Sequence, residues 1–208
     1  KEREQIPTLP VMETLLADRE DHIIHRDKQE VAANTSSNDF KLKIPKNKHN
    51  MGEVYNLCIK RGTLTEEERF IINDHIVQTI NMLEALPFPR HLKKVPEYAG
   101  GHHEKMDGTG YPKKLKRDDM SLPARIMAIA DIFEALTAAD RPYKTAKKLS
   151  ESIKIMSQLK KNAHIDPELF DLFLSSGVYK EYAERFLDPE QIDDIDITRY
   201  IDKNLSTG

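Results

Sequence analysis

Between Thr65 and Leu86, apolar residues recur at three- and four-residue steps, the spacing that gives a helix one buried face. Ile72, Ile76, Ile80 and Leu83 carry this stripe. Its start is marked by Thr65-Glu66-Glu67-Glu68: the Thr65 hydroxyl can accept from the Glu68 backbone while the Glu68 carboxylate reaches back, a capping box. Pro87 and Pro89 mark its end. A further helix is predicted from about Val95 to Glu104, closed by a turn over Gly108 to Pro112. Ser121 is positioned to cap the next one, with Pro123 tolerated in its first turn. Running to Thr137, that helix is apolar apart from Arg125, Asp131 and Glu134, and is expected to be central. Ser150 to about Lys161, Pro167 to Leu174 and Val178 to Phe186 predict three more, and Glu53 to Lys60 a short one stopped near Gly62.

Upstream the pattern weakens. Residues 1–50 hold Pro7, Pro10 and Pro45, an apolar stretch from Val11 to Ala17 and the polar cluster Asn34-Thr35-Ser36-Ser37-Asn38. They predict an extended arm with one short helix and a loop. Residues 51–187 form the helical domain, and 188–208 an acidic tail expected to fray at its end. No strand with clear alternation and no internal repeat is evident, so the fold class is all-α.

Composition narrows the partners. With 38% hydrophobic and 32% charged residues the 208-residue chain reads as a helix-rich protein with a large solvated surface, and its net charge of −3 gives no reason to expect a DNA or RNA polymer. Contact with a nucleotide would need a local cluster. The single cysteine, Cys58, excludes an internal disulfide and suits a reducing, cytoplasmic compartment. No run is long enough for a membrane span. Lys1 stands where a Met would open a full chain, so a membrane anchor upstream is compatible with this sequence.

The chemistry concentrates in His102-His103-Glu104-Lys105-Met106-Asp107-Gly108-Thr109-Gly110-Tyr111-Pro112. Imidazoles and carboxylates are ligands of catalytic transition metals, and the glycines permit a tight turn. His75 lies at the edge of the apolar stripe, where a histidine serves equally as a hydrogen-bonded boundary residue. On a helix, His102 and His103 would diverge by about 100°, so each could serve a different ion. Asp131, among Ala128, Ile129, Ala130, Ile132 and Phe133, would be costly to bury without a partner. Either a metal or an ion pair with Arg125 would meet that cost. Glu104 and Asp107 are candidates to orient the histidines. The run Lys113-Lys114-Leu115-Lys116-Arg117 is read as solvated surface.

These segments, together with Ala130-Asp131 leading to Ala135-Leu136-Thr137 and with Asp140-Arg141-Pro142-Tyr143-Lys144, resemble the HD-GYP family of bacterial metal phosphohydrolases that degrade cyclic di-GMP. The resemblance implies a helical bundle of the HD-domain type. It implies that His75, His102, His103 and Asp131 are metal ligands, and that Gly110, Tyr111, Pro112, Arg141 and Lys144 contact substrate. Two or three divalent ions are implied, Fe or Mn first, with Ni or Zn compatible with the ligand types. The family's partners include diguanylate cyclase domains.

Two departures stand out. Ala138-Ala139 occupies a place where the family pattern has one alanine, which shifts the register before Arg141. The His-Asp dipeptide of the family occurs nowhere in these 208 residues. Two readings follow. In one, the intact protein is a cyclic di-GMP phosphodiesterase yielding pGpG or GMP, its dyad lies upstream, and this chain alone is inactive and binds metal weakly. In the other, the domain is degenerate and binds a cyclic dinucleotide or a diguanylate cyclase without hydrolysis. Missing helices would also uncover apolar faces, predicting an arm folded back over them or a homodimer.

Overall fold

The computed structural model describes residues 14–27, 40–60, 62–139 and 146–202. Among them are seven α-helices: α1 (Glu53–Leu57), α2 (Glu66–Glu84), α3 (Val95–Gly100), α4 (Leu122–Thr137), α5 (Leu149–Lys161), α6 (Pro167–Ser175) and α7 (Val178–Phe186). One two-stranded antiparallel ribbon pairs β1 (Ile23–His25) with β2 (Asn47–Asn50). The fold is all-α apart from this ribbon. Two compact units divide the chain within α2, the first comprising Lys1–Ser37 and Lys43–Ile72, the second Asn38–Leu42 and Asn73–Gly208.

In the first unit the ribbon sets Ile24 opposite His49 and His25 opposite Asn47, with an irregular register between Ile24 and His25. Asn47-Lys48-His49-Asn50 has no apolar alternation, so period-two patterning could not have flagged it. Residues 14–17 form no helix, and the described part of the arm holds a short 3-10 turn at Glu20–His22. Instead the backbone N–H of Ala17 donates to the Glu53 carboxylate at 2.9 Å, and the Asp18 carboxylate accepts from Tyr55 N–H at 3.1 Å, holding α1 at its first turn. The capping box forms as expected: Glu68 N–H donates to Thr65 Oγ1 at 3.1 Å, and Thr65 N–H to the Glu68 carboxylate at 2.8 Å.

The second unit is built on two buried groups. Ile76, Val77 and Ile80 bury the expected face of α2, whereas Ile72 is half exposed. The main core joins Ile129 and Phe133 of α4 to Leu149, Ile153 and Met156 of α5, Phe170 and Leu174 of α6, and Tyr179 and Ala183 of α7. α4 packs against α3, α5 and α6 but is not enclosed. Ala124, Ala128, Ile129, Phe133 and Thr137 are buried on one side, while Leu122, Ile126 and Met127 are 39–50% exposed on the other. The apolar reading of this helix did not reveal which face its neighbours cover.

Gly100 and Gly101 let α3 approach its neighbours closely. A Cβ on Gly100 would lie 2.7 Å from the Ile80 side chain, and one on Gly101 2.8 Å from Ala124 Cβ. α3 ends there, so His102 and His103 stand in a turn rather than on the predicted helix. Buried Asp166 ties three elements together. Its carboxylate caps α6 through Glu168 and Leu169 N–H at 3.0 and 3.2 Å, and accepts from Arg117 Nε at 2.9 Å and from Arg125 Nη1. Burial, the largest influence, pushes the Asp166 carboxyl up, but the two guanidinium hydrogen bonds and the cap hold it below the usual carboxylate range.

The end of the acidic tail, where fraying is expected, lies outside the described residues; up to Asp202 the tail is held to the core. Gln191 is buried and donates to the carbonyls of Thr137 and Lys147 at 2.9 and 3.0 Å. Ile192, Ile195, Ile197, Tyr200 and Ile201 pack on the core. Lys160 draws in the end, pairing with Asp171 at 2.6 Å and Asp202 at 2.9 Å.

Candidate metal centre

α2 delivers His75 from its exposed edge, and the turn after α3 delivers His102 and His103, so that ligand nitrogens of all three lie within 4.8 Å of one another. The turn matters: instead of diverging, the His102 and His103 rings sit 4.1 Å apart between centroids, tilted by 47°. His102 Nδ1 lies 2.7 Å from the Ala99 carbonyl. A carbonyl only accepts, so Nδ1 carries the proton and the Nε2 lone pair of the neutral ring is free to ligate. His103 Nε2 and His75 Nε2 are 3.1 Å apart. Two cis nitrogens each about 2.1 Å from one ion would stand about 3.0 Å apart, so this spacing fits a shared metal. Burial, then the adjoining His102 and His75, lowers the His103 pKa to about 4, which keeps its ring neutral and able to donate a lone pair.

Asp131 is not part of the three-histidine group, and it is exposed on α4 rather than buried. The cost of burial that made it conspicuous in the sequence is therefore absent, and Arg125, its expected ion-pair partner, is committed to Asp166. Asp131 is still near enough for its charge to oppose the lowering of the His103 pKa and to add to the burial that raises that of Tyr111.

Among the described residues, neither the Glu104 nor the Asp107 carboxylate is hydrogen-bonded to a histidine. The Glu104 carboxylate, 1% exposed, accepts the backbone N–H groups of Lys113 at 2.6 Å and Leu115 at 2.9 Å. Burial pushes its pKa up, opposed by those hydrogen bonds. Asp107 is exposed and accepts from the Thr109 N–H and hydroxyl, both at 2.8 Å, which lowers its pKa. The partner that orients His102 is the Ala99 carbonyl, which no side-chain motif could announce.

Gly110 and Pro112 lie buried inside the loop rather than on its surface. A Cβ on Gly110 would meet Lys105 N at 2.4 Å and Glu104 Cα at 2.5 Å. The Pro112 carbonyl accepts from Lys41 N–H at 2.7 Å, and the Tyr111-Pro112 peptide is cis. Half-buried Tyr111 stacks on His103, with centroids 4.9 Å apart and planes within 19°. In the basic run, Lys113 stands over the Phe40 ring at 5.5 Å and Arg117 pairs with Asp166 and Glu168. Arg141 and Lys144 lie outside the described residues.

This grouping of histidines around a Gly-Tyr-Pro loop coincides with a family match. The HD domain is matched over residues 10–169, and the chain belongs to that family, in the HD-GYP group that its relatives represent. It is similar to the 3'3'-cGAMP-specific phosphodiesterase 1 of Vibrio cholerae, with 36% identity over 62% of this chain and 30% of the relative. The 3'3'-cGAMP-specific phosphodiesterase 3 of the same organism is 43% identical over 53% of this chain and 23% of the relative. A cyclic di-GMP phosphodiesterase of Pseudomonas aeruginosa is 36% identical over 58% and 28%. The chain thus matches less than a third of the length of each of these three. Among the described residues no helix is long and apolar enough to cross a membrane.

Proposed function

We propose that this domain is part of a metal-dependent phosphodiesterase that hydrolyses a cyclic dinucleotide, cyclic di-GMP or 3'3'-cGAMP, to a linear dinucleotide or mononucleotide in the cytoplasm. The observation that carries the reading is the convergence of His75, His102 and His103 within 4.8 Å, beside Tyr111 and near Asp131. In this reading the three imidazoles, with Asp131, hold part of a centre of Fe or Mn ions. A bound divalent ion there supplies Lewis-acid polarisation of a phosphoryl oxygen. The chain's own residues set the stage for it. The Ala99 carbonyl fixes the His102 tautomer, His103 is kept neutral by its surroundings, and Arg141 and Lys144 are proposed to meet substrate phosphates as cations.

One observation favours a binding module instead, the lack of a His-Asp pair in the sequence. Under that reading the domain takes up the nucleotide, or a diguanylate cyclase, without turnover. Assay of the full-length protein loaded with Mn or Fe against both cyclic dinucleotides separates the two. Hydrolysis that is lost on replacing His75, His102 or His103 by Ala supports the enzyme. A metal-loaded, full-length protein that binds either nucleotide and leaves it intact overturns it. For the chain described here alone, no turnover is expected.

A further inference from the structure

We infer that Tyr111 is a positioning residue for the metal centre: its ring clasps the His103 imidazole, and Glu104 holds the clasp shut. The inference rests on the reading of the histidine cluster as a metal site. His102 has its non-ligating nitrogen pinned by a carbonyl. His103 does not; among the described residues its ring makes one hydrogen bond, at Nε2, the atom that faces His75. A ligand without such a pin can swing about its side-chain torsions, and the Tyr111 ring lying nearly parallel at 4.9 Å removes that freedom.

The loop is tied back to the residues it serves. Tyr111 N–H donates to the His103 carbonyl at 3.2 Å, so the stacked pair is joined through the backbone as well. Glu104, the next residue after His103, reaches across the loop to Lys113 and Leu115 N–H. Asp107 bridges to Lys116, and Arg117 N–H donates to the Met106 carbonyl at 3.2 Å, closing the base. Gly110 is the point where the loop crosses its own start, at a distance no side chain would allow. The stretch from His103 to Arg117 is therefore a closed clasp, with the tyrosine face as its jaw. This role needs the ring and not the hydroxyl.

The test is titration of the purified full-length protein with Co2+, followed by the visible absorption of the ion, in the wild type and in the Tyr111→Phe, Tyr111→Leu and Glu104→Gln variants. Tyr111→Phe keeps the stack and should stay within about 2-fold of wild type, whereas Tyr111→Leu and Glu104→Gln should each bind about 10-fold more weakly. The double variant Tyr111→Leu/Glu104→Gln should be no weaker than the worse single, because both act through one clasp. Wild-type affinity in Tyr111→Leu overturns the proposal, and so does a loss in Tyr111→Phe equal to that in Tyr111→Leu. If circular dichroism shows Tyr111→Leu unfolded, Glu104→Gln decides, and wild-type affinity there also overturns it. Failure of the wild type itself to bind Co2+ refutes the metal centre beneath it, a separate result.

Discussion

Replacing Asp166 by Ala tests whether Arg117, Arg125 and the start of α6 are held together by one buried carboxylate. Asp166 is fully buried; the Arg125 side chain is 18% exposed and that of Arg117 36%. Removing one partner of a buried charge pair costs about 3–5 kcal/mol, since the remaining charge is stranded. Arg117 can recover water on losing its partner, which places the pair's share near 3 kcal/mol. Loss of the α6 cap adds about 1 kcal/mol. A total of about 4 kcal/mol in a chain of this size lowers Tm by about 10 °C. Asp166→Asn keeps one oxygen, which can serve the cap or the arginines but not both, so about 2–3 kcal/mol is expected. Acidity gives a second reading. The folded-state carboxyl lies below its ordinary value, so its contribution is complete above the unfolded pKa of about 3.9 and is lost as pH falls through the folded value. Urea unfolding from pH 7 downwards should show a constant gap between wild type and Asp166→Ala to about pH 5, narrowing below about pH 4. A loss under about 1 kcal/mol at pH 7, or a gap that persists unchanged in acid, would refute this account.

Two further substitutions probe the loop and the tail. Gly110→Ala drives a Cβ into the backbone of Glu104 and Lys105, which cannot move aside as a side chain could, and should cost about 1–3 kcal/mol by urea unfolding; a neutral result would mean the loop crossing is looser than described. Lys160→Ala strands the Asp171 carboxylate, 2% exposed, and frees Asp202, so it should lower stability by about 3 kcal/mol and speed proteolytic clipping after Asp188, measured by mass spectrometry of timed digests.

The helices were legible wherever local spacing carried the information. The Thr65-Glu68 box and the Ile76/Ile80 stripe announced α2, and Pro123 with the run to Thr137 announced α4. Three things were not legible, each for a physical reason. α3 ends at Gly100-Gly101, short of the predicted Glu104, and the close approach these glycines allow to Ile80 and Ala124 is a tertiary fact. Asp131 sits in an apolar run, but periodicity cannot say which side of a helix other elements cover, and its side turned out open. The partners of Asp166 are 41 and 49 residues away in the chain, beyond any local motif. Among the candidate site residues, the resemblance implied a joint role for His75, His102 and His103, and the structure brings them together, whereas the Ala99 carbonyl and the Glu104 anchor follow only from the folded backbone.

The placement of the histidine pair explains why a turn serves this centre better than a helix. On a helix, adjacent side chains point about 100° apart, and bringing both to His75 would require two separate metal positions facing α2. In the turn, the backbone after Gly101 is free to present both rings to one side, and their centroids close to 4.1 Å. That freedom has a cost, because a turn lacks the ladder of hydrogen bonds that would fix the rings. The supports follow from it: a carbonyl for His102, a stacked tyrosine for His103, a glutamate whose carboxylate gathers the far side of the loop, and Arg117 and Arg125 anchoring the loop base and α4 to a single buried aspartate. Every one of these contacts is made by protein atoms alone. The supports of the three candidate ligands are therefore drawn from Ala99, from the loop after His103 and from Asp166, and only part of them lies in the run from His102 to Pro112.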